Sequence, residues 1–113
     1  MSGVLSNLKV LDLSWGIAGP MAGMLLADHG ADVTRIERPQ GDPFAGQLGY
    51  KVWHRGKRNA VFDLKDAKDK ELFLRLAANA DVLIESFTPG VTKRLGIDFE
   101  TLSKLNPRLI YCS

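Results

Sequence analysis

Five short apolar segments alternate with segments of helical periodicity along the chain. The apolar segments are rich in leucine and β-branched residues and lie at residues 9–13, 32–37, 60–64, 82–85 and 108–112. Strands that are apolar throughout belong to sheets buried on both faces, and helices between them allow parallel crossovers. The pattern therefore predicts an α/β fold: a doubly wound, mostly parallel sheet of about five strands with helices on both faces.

Capping residues and helix breakers predict where the helices begin and end. Pro20 is expected to be the first residue of a helix that Gly30 ends, because the first helical position does not use its N–H. Asp66 is expected to cap the helix before the fourth strand, and Asp98 the helix before the fifth. Pro107 prevents this last helix from continuing.

Length and charge limit the kind of protein that this chain can be. Its 113 residues predict one domain over residues 1–113, and 15 basic against 13 acidic residues give a net charge of +2. This charge is too small to indicate binding to nucleic acid. The sequence has no basic leader and no run of about 18 apolar residues, so we expect a cytoplasmic protein without a membrane partner.

Residues that bind metals or form disulfides are scarce. Cys112 is the single cysteine and lies in an apolar segment, where we expect a buried and unreactive thiol. His29 and His54 have no further ligands at the spacing of a metal site, so no metal site is predicted. His29 is instead expected near a helix C-terminus, where the helix dipole favours it.

Polar and glycine residues follow the predicted strands at the points where ligands bind in open α/β sheets. These strand-end segments are residues 14–19, Glu37 with Arg38, Lys65, and residues 86–90. Arg38 and Lys65 follow neighbouring strands, so the two cations could converge on one anionic ligand. The alternative is that both are ordinary surface cations.

The loop after the first strand contains glycines at positions 16, 19 and 23, a spacing that does not match the G-x-G-x-x-G dinucleotide fingerprint. Glu37 stands 21 residues after Gly16, near the place of a ribose-binding acid, so a nicotinamide site remains an alternative. A second alternative is a tight turn from strand to helix that needs glycine for conformational reasons alone.

A long segment over residues 38–59 has no periodicity and carries a basic cluster. The cluster comprises Lys51, His54, Arg55, Lys57 and Arg58, with Trp53 among them. It could form an anion site with Trp53 as a stacking platform, or it could be a solvated basic loop. Glu85, at the end of the fourth strand, could serve in acid–base chemistry or anchor loop amides.

Four segments of the chain together resemble one protein family. They read VLDLSWGIAGPMAGMLLADHGADVTRIERP, RGKRNAVFDLK, ADVLIESFTPGVTKRLGID and LNPRLIYCS, and they cover nearly the whole chain. In this order they resemble the family III CoA-transferases, which include formyl-CoA and carnitine CoA-transferases and the alpha-methylacyl-CoA racemases. The resemblance implies that residues 1–113 are the N-terminal part of a Rossmann-like, CoA-binding domain.

Positions that match the family imply a CoA site at the same strand ends. Arg38 would engage the adenosine end of CoA, with Phe62 and Lys65 beside it and Lys65 near a phosphate. Many family members carry asparagine where this chain has Ser86, which is a departure from the pattern. The other residues implied along the CoA are Gly16, Ile17, Ala18, Ser86, Phe87, Arg94 and Leu95.

The resemblance also implies an enzyme whose catalytic residues lie outside this chain. The family's transfer reaction uses an aspartyl-CoA thioester on an aspartate beyond position 113, and its racemases use a downstream Asp and His. We therefore expect the whole protein to transfer CoA between carboxylic acids, or to racemise 2-methylacyl-CoA, and this piece alone to be inactive. CoA thioester is the expected substrate, no cofactor is expected, and the whole protein would be an interlocked homodimer. The alternative is a stand-alone binding module that uses its basic loop on a protein partner.

Overall fold

A computed structural model describes residues 3–113 and places five strands in one sheet. The strands are β1 (Lys9–Asp12), β2 (Asp32–Glu37), β3 (Arg58–Val61), β4 (Val82–Ile84) and β5 (Ile110–Cys112). Their order across the sheet is β3-β2-β1-β4-β5, and every neighbouring pair runs parallel. β2 and β3 therefore lie on one side of β1, and the chain then crosses over to place β4 and β5 on the other side.

Helices cover both faces of this sheet. Alternate strand residues point to opposite sides, so apolar strand residues form a buried cluster on each face. On one face Val10 and Val33 are buried in a cluster that Leu26 and Ala27 of α1 (Ala18–Asp28) join. The other face is the larger core. It packs strand residues such as Leu11 and Leu83 against α3 (Ala67–Ala78) and α5 (Phe99–Leu105). The predicted doubly wound α/β class is confirmed. Between residues 3 and 113, no helix combines the length and apolar composition needed to cross a membrane.

The helix caps agree with the sequence in part. Asp66 caps α3, and its carboxylate accepts the N–H of Asp69. Asp98 precedes α5 as predicted, but its carboxylate accepts the Thr101 hydroxyl and no backbone N–H of the first turn. The prediction for Pro20 is wrong by two residues, because α1 already begins at Ala18. Pro20 is the third residue of α1. Because the N–H groups of the first turn have no acceptor within the helix, proline is tolerated there as well.

The segment between β2 and β3 departs most from the prediction. It contains a short helix, α2 (Tyr50–Trp53), and β3 begins at Arg58 rather than at residue 60. β3 is an edge strand in which Arg58 and Asn59 pair with β2 although both are exposed. Because an edge strand needs few buried side chains, the apolar criterion missed its first two residues and extended it past Val61.

Cys112 lies at the opposite edge of the sheet, on β5, and its thiol is exposed. The prediction of a buried thiol is therefore wrong. Ile110 and Cys112 are both exposed, whereas Tyr111 between them packs against the larger core. Apolar composition alone could not distinguish this half-covered edge strand from a buried one.

Candidate functional site

A pocket of ≈ 510 Å³ opens at the carboxyl ends of the strands, which is the edge where the sequence predicted a ligand. Its walls come from the loops after β1, β2, β3 and β4 and from α4 (Val91–Leu95). Six of the ten residues predicted to bind CoA line it, namely Arg38, Phe62, Lys65, Phe87, Arg94 and Leu95. The other four do not line it: Gly16, Ile17 and Ser86 belong to adjoining loops, and Ala18 is the first residue of α1.

Three cationic side chains line this pocket. Arg38 after β2 and Lys65 after β3 both line it, so the fold brings the two predicted cations to one cavity, and Arg94 of α4 adds a third. Two carboxylates, Glu37 and Asp63, also lie in the lining. The Asp63 carboxylate accepts the backbone N–H of Lys65 at 3.1 Å. The arrangement suits a ligand that carries more than one negative charge.

Glu37 is engaged by its own neighbours. Its Oε2 accepts the Asn59 amide at 3.0 Å, and its Oε1 lies 3.0 Å from Nη1 of Arg35 and 3.4 Å from the Tyr50 hydroxyl. Burial alone would raise the pKa of Glu37, but the hydrogen bonds from Asn59 and Arg35 outweigh it and lower this pKa. The carboxylate therefore stays charged and committed to Arg35, which weakens the hypothesis that it binds the ribose of a nicotinamide nucleotide.

Trp15 is a pocket residue that the sequence analysis did not single out. The Arg38 guanidinium lies over its ring, 4.8 Å from the centroid, and the Phe87 ring meets it edge-on with centroids 5.0 Å apart. An aromatic residue within a strand-end loop was the available signal. The ring's role depends on partners from two other loops, which the sequence does not place.

The glycines after β1 meet local packing requirements. Gly16 has a φ of +87°, a backbone conformation that side chains other than glycine rarely adopt. A Cβ at Gly23 would lie 2.8 Å from Oδ2 of Asp12 and 3.1 Å from Nζ of Lys57. This geometry supports the hypothesis of a tight passage from strand to helix, and it needs no phosphate to explain the glycines.

Beneath this loop lies a buried ion pair. The side chains of Asp12 and Lys57 are 0% and 1% exposed, and Nζ of Lys57 lies 2.6 Å from Oδ2 of Asp12. Lys57 also donates to the carbonyl of Pro20 at 2.9 Å, and Asp12 accepts the backbone N–H of Ser14 at 2.9 Å. The pair thus joins the loop before β3 to both ends of the β1–α1 connection.

His54 lies between Lys57 of this ion pair and Arg35. Its Nδ1 lies 3.1 Å from Nζ of Lys57, and its Nε2 lies 3.3 Å from Nε of Arg35. Burial, together with the positive charges of Lys57 and Arg35, lowers the pKa of His54 to about 4. Burial also lowers the pKa of Lys57, although Asp12 opposes this change. His54 is therefore neutral at pH 7.

Most of the predicted basic cluster is neutralised within the chain. Arg55 pairs with Asp28 at 2.7 Å, Arg58 pairs with Asp32 at 3.2 Å, and Lys57 is buried as described. Trp53 packs against Gly49, and its Nε1 is buried, so its ring is not an exposed stacking platform. The structure does not support an anion site on Trp53, whereas the alternative of a solvated basic loop fits the exposed residues Lys51, Arg55 and Arg58 but not the buried Lys57.

Glu85 anchors a loop, as one of its two predicted roles required. Its Oε1 accepts the backbone N–H of Phe87 at 2.9 Å, and its Oε2 accepts the Tyr111 hydroxyl at 3.1 Å. Burial, followed by the charge of Glu85, raises the pKa of Tyr111. Within the described part of the chain, no group of three or more His, Cys, Asp or Glu residues could hold a metal ion.

Comparison with known proteins now identifies the family. The sequence pattern of the family described as CoA-transferase family III matches residues 5–113. This chain belongs to CoA-transferase family III. It is 42% identical to the succinyl-CoA:mesaconate CoA-transferase of Haloarcula hispanica over 98% of its own length. It is also 42% identical to the acetyl-CoA:oxalate CoA-transferase of Acetobacter aceti, again over 98% of its length.

This family III chain spans only 31% of the length of each of these two relatives. A solved structure of a CAIB/BAIF family protein from Brucella suis superposes on it with a TM-score of 0.91 and 37% sequence identity. That alignment covers 100% of this chain and 33% of the Brucella chain. The fold described here is therefore the fold of the corresponding third of that protein.

Proposed function

We propose that this chain is the N-terminal part of the CoA-binding domain of a longer family III enzyme, and that its pocket holds the nucleotide half of CoA. The observation that carries this proposal is the convergence of Arg38, Lys65 and Arg94 on one pocket that also has aromatic walls. The nucleotide half of CoA combines an aromatic base with several phosphate charges, and the pocket offers partners for both.

We assign to each residue the role that the family resemblance implies for its position. Arg38 engages the adenosine end, because a planar guanidinium can stack on a base and bind phosphate. Phe62 and Lys65, from the neighbouring loop, flank the same end, and Lys65 binds phosphate. The residues assigned along the rest of the CoA are Phe87, Arg94 and Leu95 in the lining, Gly16, Ile17 and Ser86 in the adjoining loops, and Ala18 at the start of α1.

We infer that the whole protein transfers CoA from a CoA thioester to a carboxylic acid. The names of the relatives pair such reactants: succinyl-CoA with mesaconate, and acetyl-CoA with oxalate. These names favour transfer over racemisation of 2-methylacyl-CoA. The catalytic aspartate then lies beyond residue 113, CoA thioester is a substrate rather than a cofactor, and the enzyme is a cytoplasmic, interlocked homodimer. Residues 1–113 alone are expected to be inactive.

The alternative of a stand-alone protein-binding module has less support from the charges of the basic loop. It relied on a free basic loop, whereas Arg55, Lys57 and Arg58 are each paired with an aspartate of the same chain. Reading the gene past the codon for Ser113 separates the two proposals. A longer reading frame with a downstream aspartate supports the enzyme, and an immediate stop codon contradicts it.

The first prediction concerns the two cations that follow β2 and β3. Replacing both, Arg38→Ala with Lys65→Ala, should weaken binding of CoA to the whole protein by about a hundredfold to ten-thousandfold, because hydrogen bonds to charged groups are each worth about 1.5–3 kcal/mol. Isothermal titration calorimetry with CoA measures the dissociation constant directly.

The matched control removes the same charge elsewhere. Arg75 and Lys104 are exposed and lie in the last turns of α3 and α5, away from the pocket. The double variant Arg75→Ala with Lys104→Ala should bind CoA as the wild type does. Equal affinity in the Arg38 and Lys65 double variant and the wild type would refute the proposed nucleotide site.

A further inference from the structure

Three residues from three strand-end loops form a stacked unit at the mouth of the pocket. The Arg38 guanidinium covers the Trp15 ring at 4.8 Å, and the Phe87 ring supports Trp15 edge-on at 5.0 Å. Trp15 follows β1, Arg38 follows β2 and Phe87 follows β4. Both contacts depend on the orientation of the Trp15 ring, because a cation and an aromatic edge each prefer the face of an aromatic ring.

Ser86 fixes the backbone of Trp15 rather than facing the pocket. Its Oγ accepts the Trp15 N–H at 2.8 Å and donates to the Trp15 carbonyl at 3.1 Å. Two bonds to one residue hold the loop after β1 against the loop after β4. Ser86 does not line the pocket, although the family resemblance assigns its position to CoA.

Arg38 is held with its outer edge exposed. Its Nε donates to the carbonyl of Gly41 at 2.8 Å. Among residues 3–113, its terminal Nη1 and Nη2 groups donate to no acceptor of the chain, and the residue is exposed. A guanidinium fixed at Nε and on one face presents its remaining N–H groups in a constant direction, which lowers the entropy lost on binding.

We propose that Ser86 and Trp15 are positioning residues that act on the ligand through Arg38. Ser86 fixes the Trp15 backbone, and the Trp15 ring orients the Arg38 guanidinium at the pocket. The inference rests on the proposed function, since Arg38 is the residue assigned to the adenosine end of CoA. It assigns to Ser86 in this chain a role that differs from direct contact with CoA.

A double-mutant cycle on the whole protein tests whether Trp15 acts through Arg38. Trp15→Leu keeps apolar bulk against Phe87 and should weaken CoA binding by about threefold to tenfold, the value of one cation–π contact. In the Arg38→Ala background the same substitution should cost nothing further. Equal losses in both backgrounds would overturn the inference, because Trp15 would then act independently of Arg38.

A measurement without ligand tests the role of Ser86. The protein is labelled with 5-fluorotryptophan, and the Trp15 signal in its ¹⁹F spectrum is assigned by its absence from Trp15→Leu. Ser86→Ala and Arg38→Ala should each shift this signal, whereas Ser86→Thr, which keeps the hydroxyl, should leave it near the wild-type position. The control Ser103→Ala removes a serine hydroxyl that bonds a carbonyl in α5 and should not move the signal.

The two failures are distinguishable. A wild-type protein that does not bind CoA would refute the proposed function, while the ¹⁹F spectra would still report whether Ser86 and Arg38 set the environment of Trp15. A Trp15 signal that is unchanged in Ser86→Ala would refute the positioning role, even if CoA binds as proposed.

Discussion

The ion pair between Asp12 and Lys57 shows how one residue contact can fix a binding loop. Both side chains are removed from water, so each charge depends on the other and on its hydrogen bonds. Lys57 donates to the carbonyl of Pro20, and Asp12 accepts the N–H of Ser14. The pair therefore holds the start of α1 and the end of β1 in place, on either side of the loop that carries Gly16.

Removing one partner of this pair should be costly. Lys57→Met keeps the volume but leaves the Asp12 carboxylate buried without its counter-charge, which typically costs about 3–5 kcal/mol. Hydrogen exchange of the β1 and β4 amides in the whole protein measures the loss as a lower free energy of opening. Adding Asp12→Asn removes the stranded charge and should recover part of that loss.

The exposed pair between Arg58 and Asp32 provides the control. Their side chains are 77% and 44% exposed, so Arg58→Met should cost less than about 1 kcal/mol. Equal losses for Lys57→Met and Arg58→Met would mean that burial of the Asp12–Lys57 pair contributes nothing.

Sequence analysis found the residues whose place follows from strand ends and missed those whose role depends on tertiary contacts. Arg38 directly follows β2, and Lys65 directly follows the predicted range of the third strand, so the topology rule alone brought them to one edge. Lys57 was assigned to a basic cluster, because its partner Asp12 is 45 residues away and nothing local indicates burial. Trp15 lay within the predicted segment 14–19, but it was given no role of its own, since its partners come from two other loops.

At the scale of elements, the buried strands were the most predictable. β2 agrees with its predicted range of 32–37, and the predicted ranges of β1 and β4 are each one residue too long. All three are interior strands that pair with a neighbour on both sides. The edge strands β3 and β5 were placed less well. Their backbones pair with one neighbour only, so hydrogen bonding rather than side-chain burial sets where they begin.

An aspartate precedes both α3 and α5, so comparing the two helices measures the contribution of the capping hydrogen bond alone. Asp66→Ala removes a carboxylate that accepts a backbone N–H of α3 and should lower the opening free energy of the α3 amides by about 1 kcal/mol. Asp98→Ala removes a carboxylate that bonds only a hydroxyl, so the α5 amides should lose less than about 0.5 kcal/mol. Hydrogen exchange of both helices gives the comparison, and a larger loss at α5 would contradict it.

At the scale of the whole molecule, the two edges of the sheet differ in how their polar groups are used. At the amino edge the polar groups serve the chain itself: the Asp81 carboxylate accepts the Lys9 N–H at 2.8 Å, and the Asn106 amide donates to the carbonyls of Ala77 and Ala80. At the carboxyl edge, by contrast, three cations line the open pocket. The carboxyl edge also has internal bonds, such as those of Glu85 and Asp63, and it is the edge that we propose faces a ligand.

This asymmetry predicts where CoA changes hydrogen exchange in the whole protein. At a CoA concentration of about 100 times the dissociation constant, binding stabilises the folded protein by about 2.7 kcal/mol, which slows globally exchanging amides everywhere. The loop amides that exchange by local fluctuation discriminate between the edges, and mass spectrometry at short labelling times detects them. CoA should slow exchange in residues 14–18, 62–65 and 86–95 at the carboxyl edge and leave residues 79–81 and 105–109 at the amino edge unchanged. Protection of the amino-edge loops instead would place the ligand at the wrong end of the sheet and contradict the proposed site.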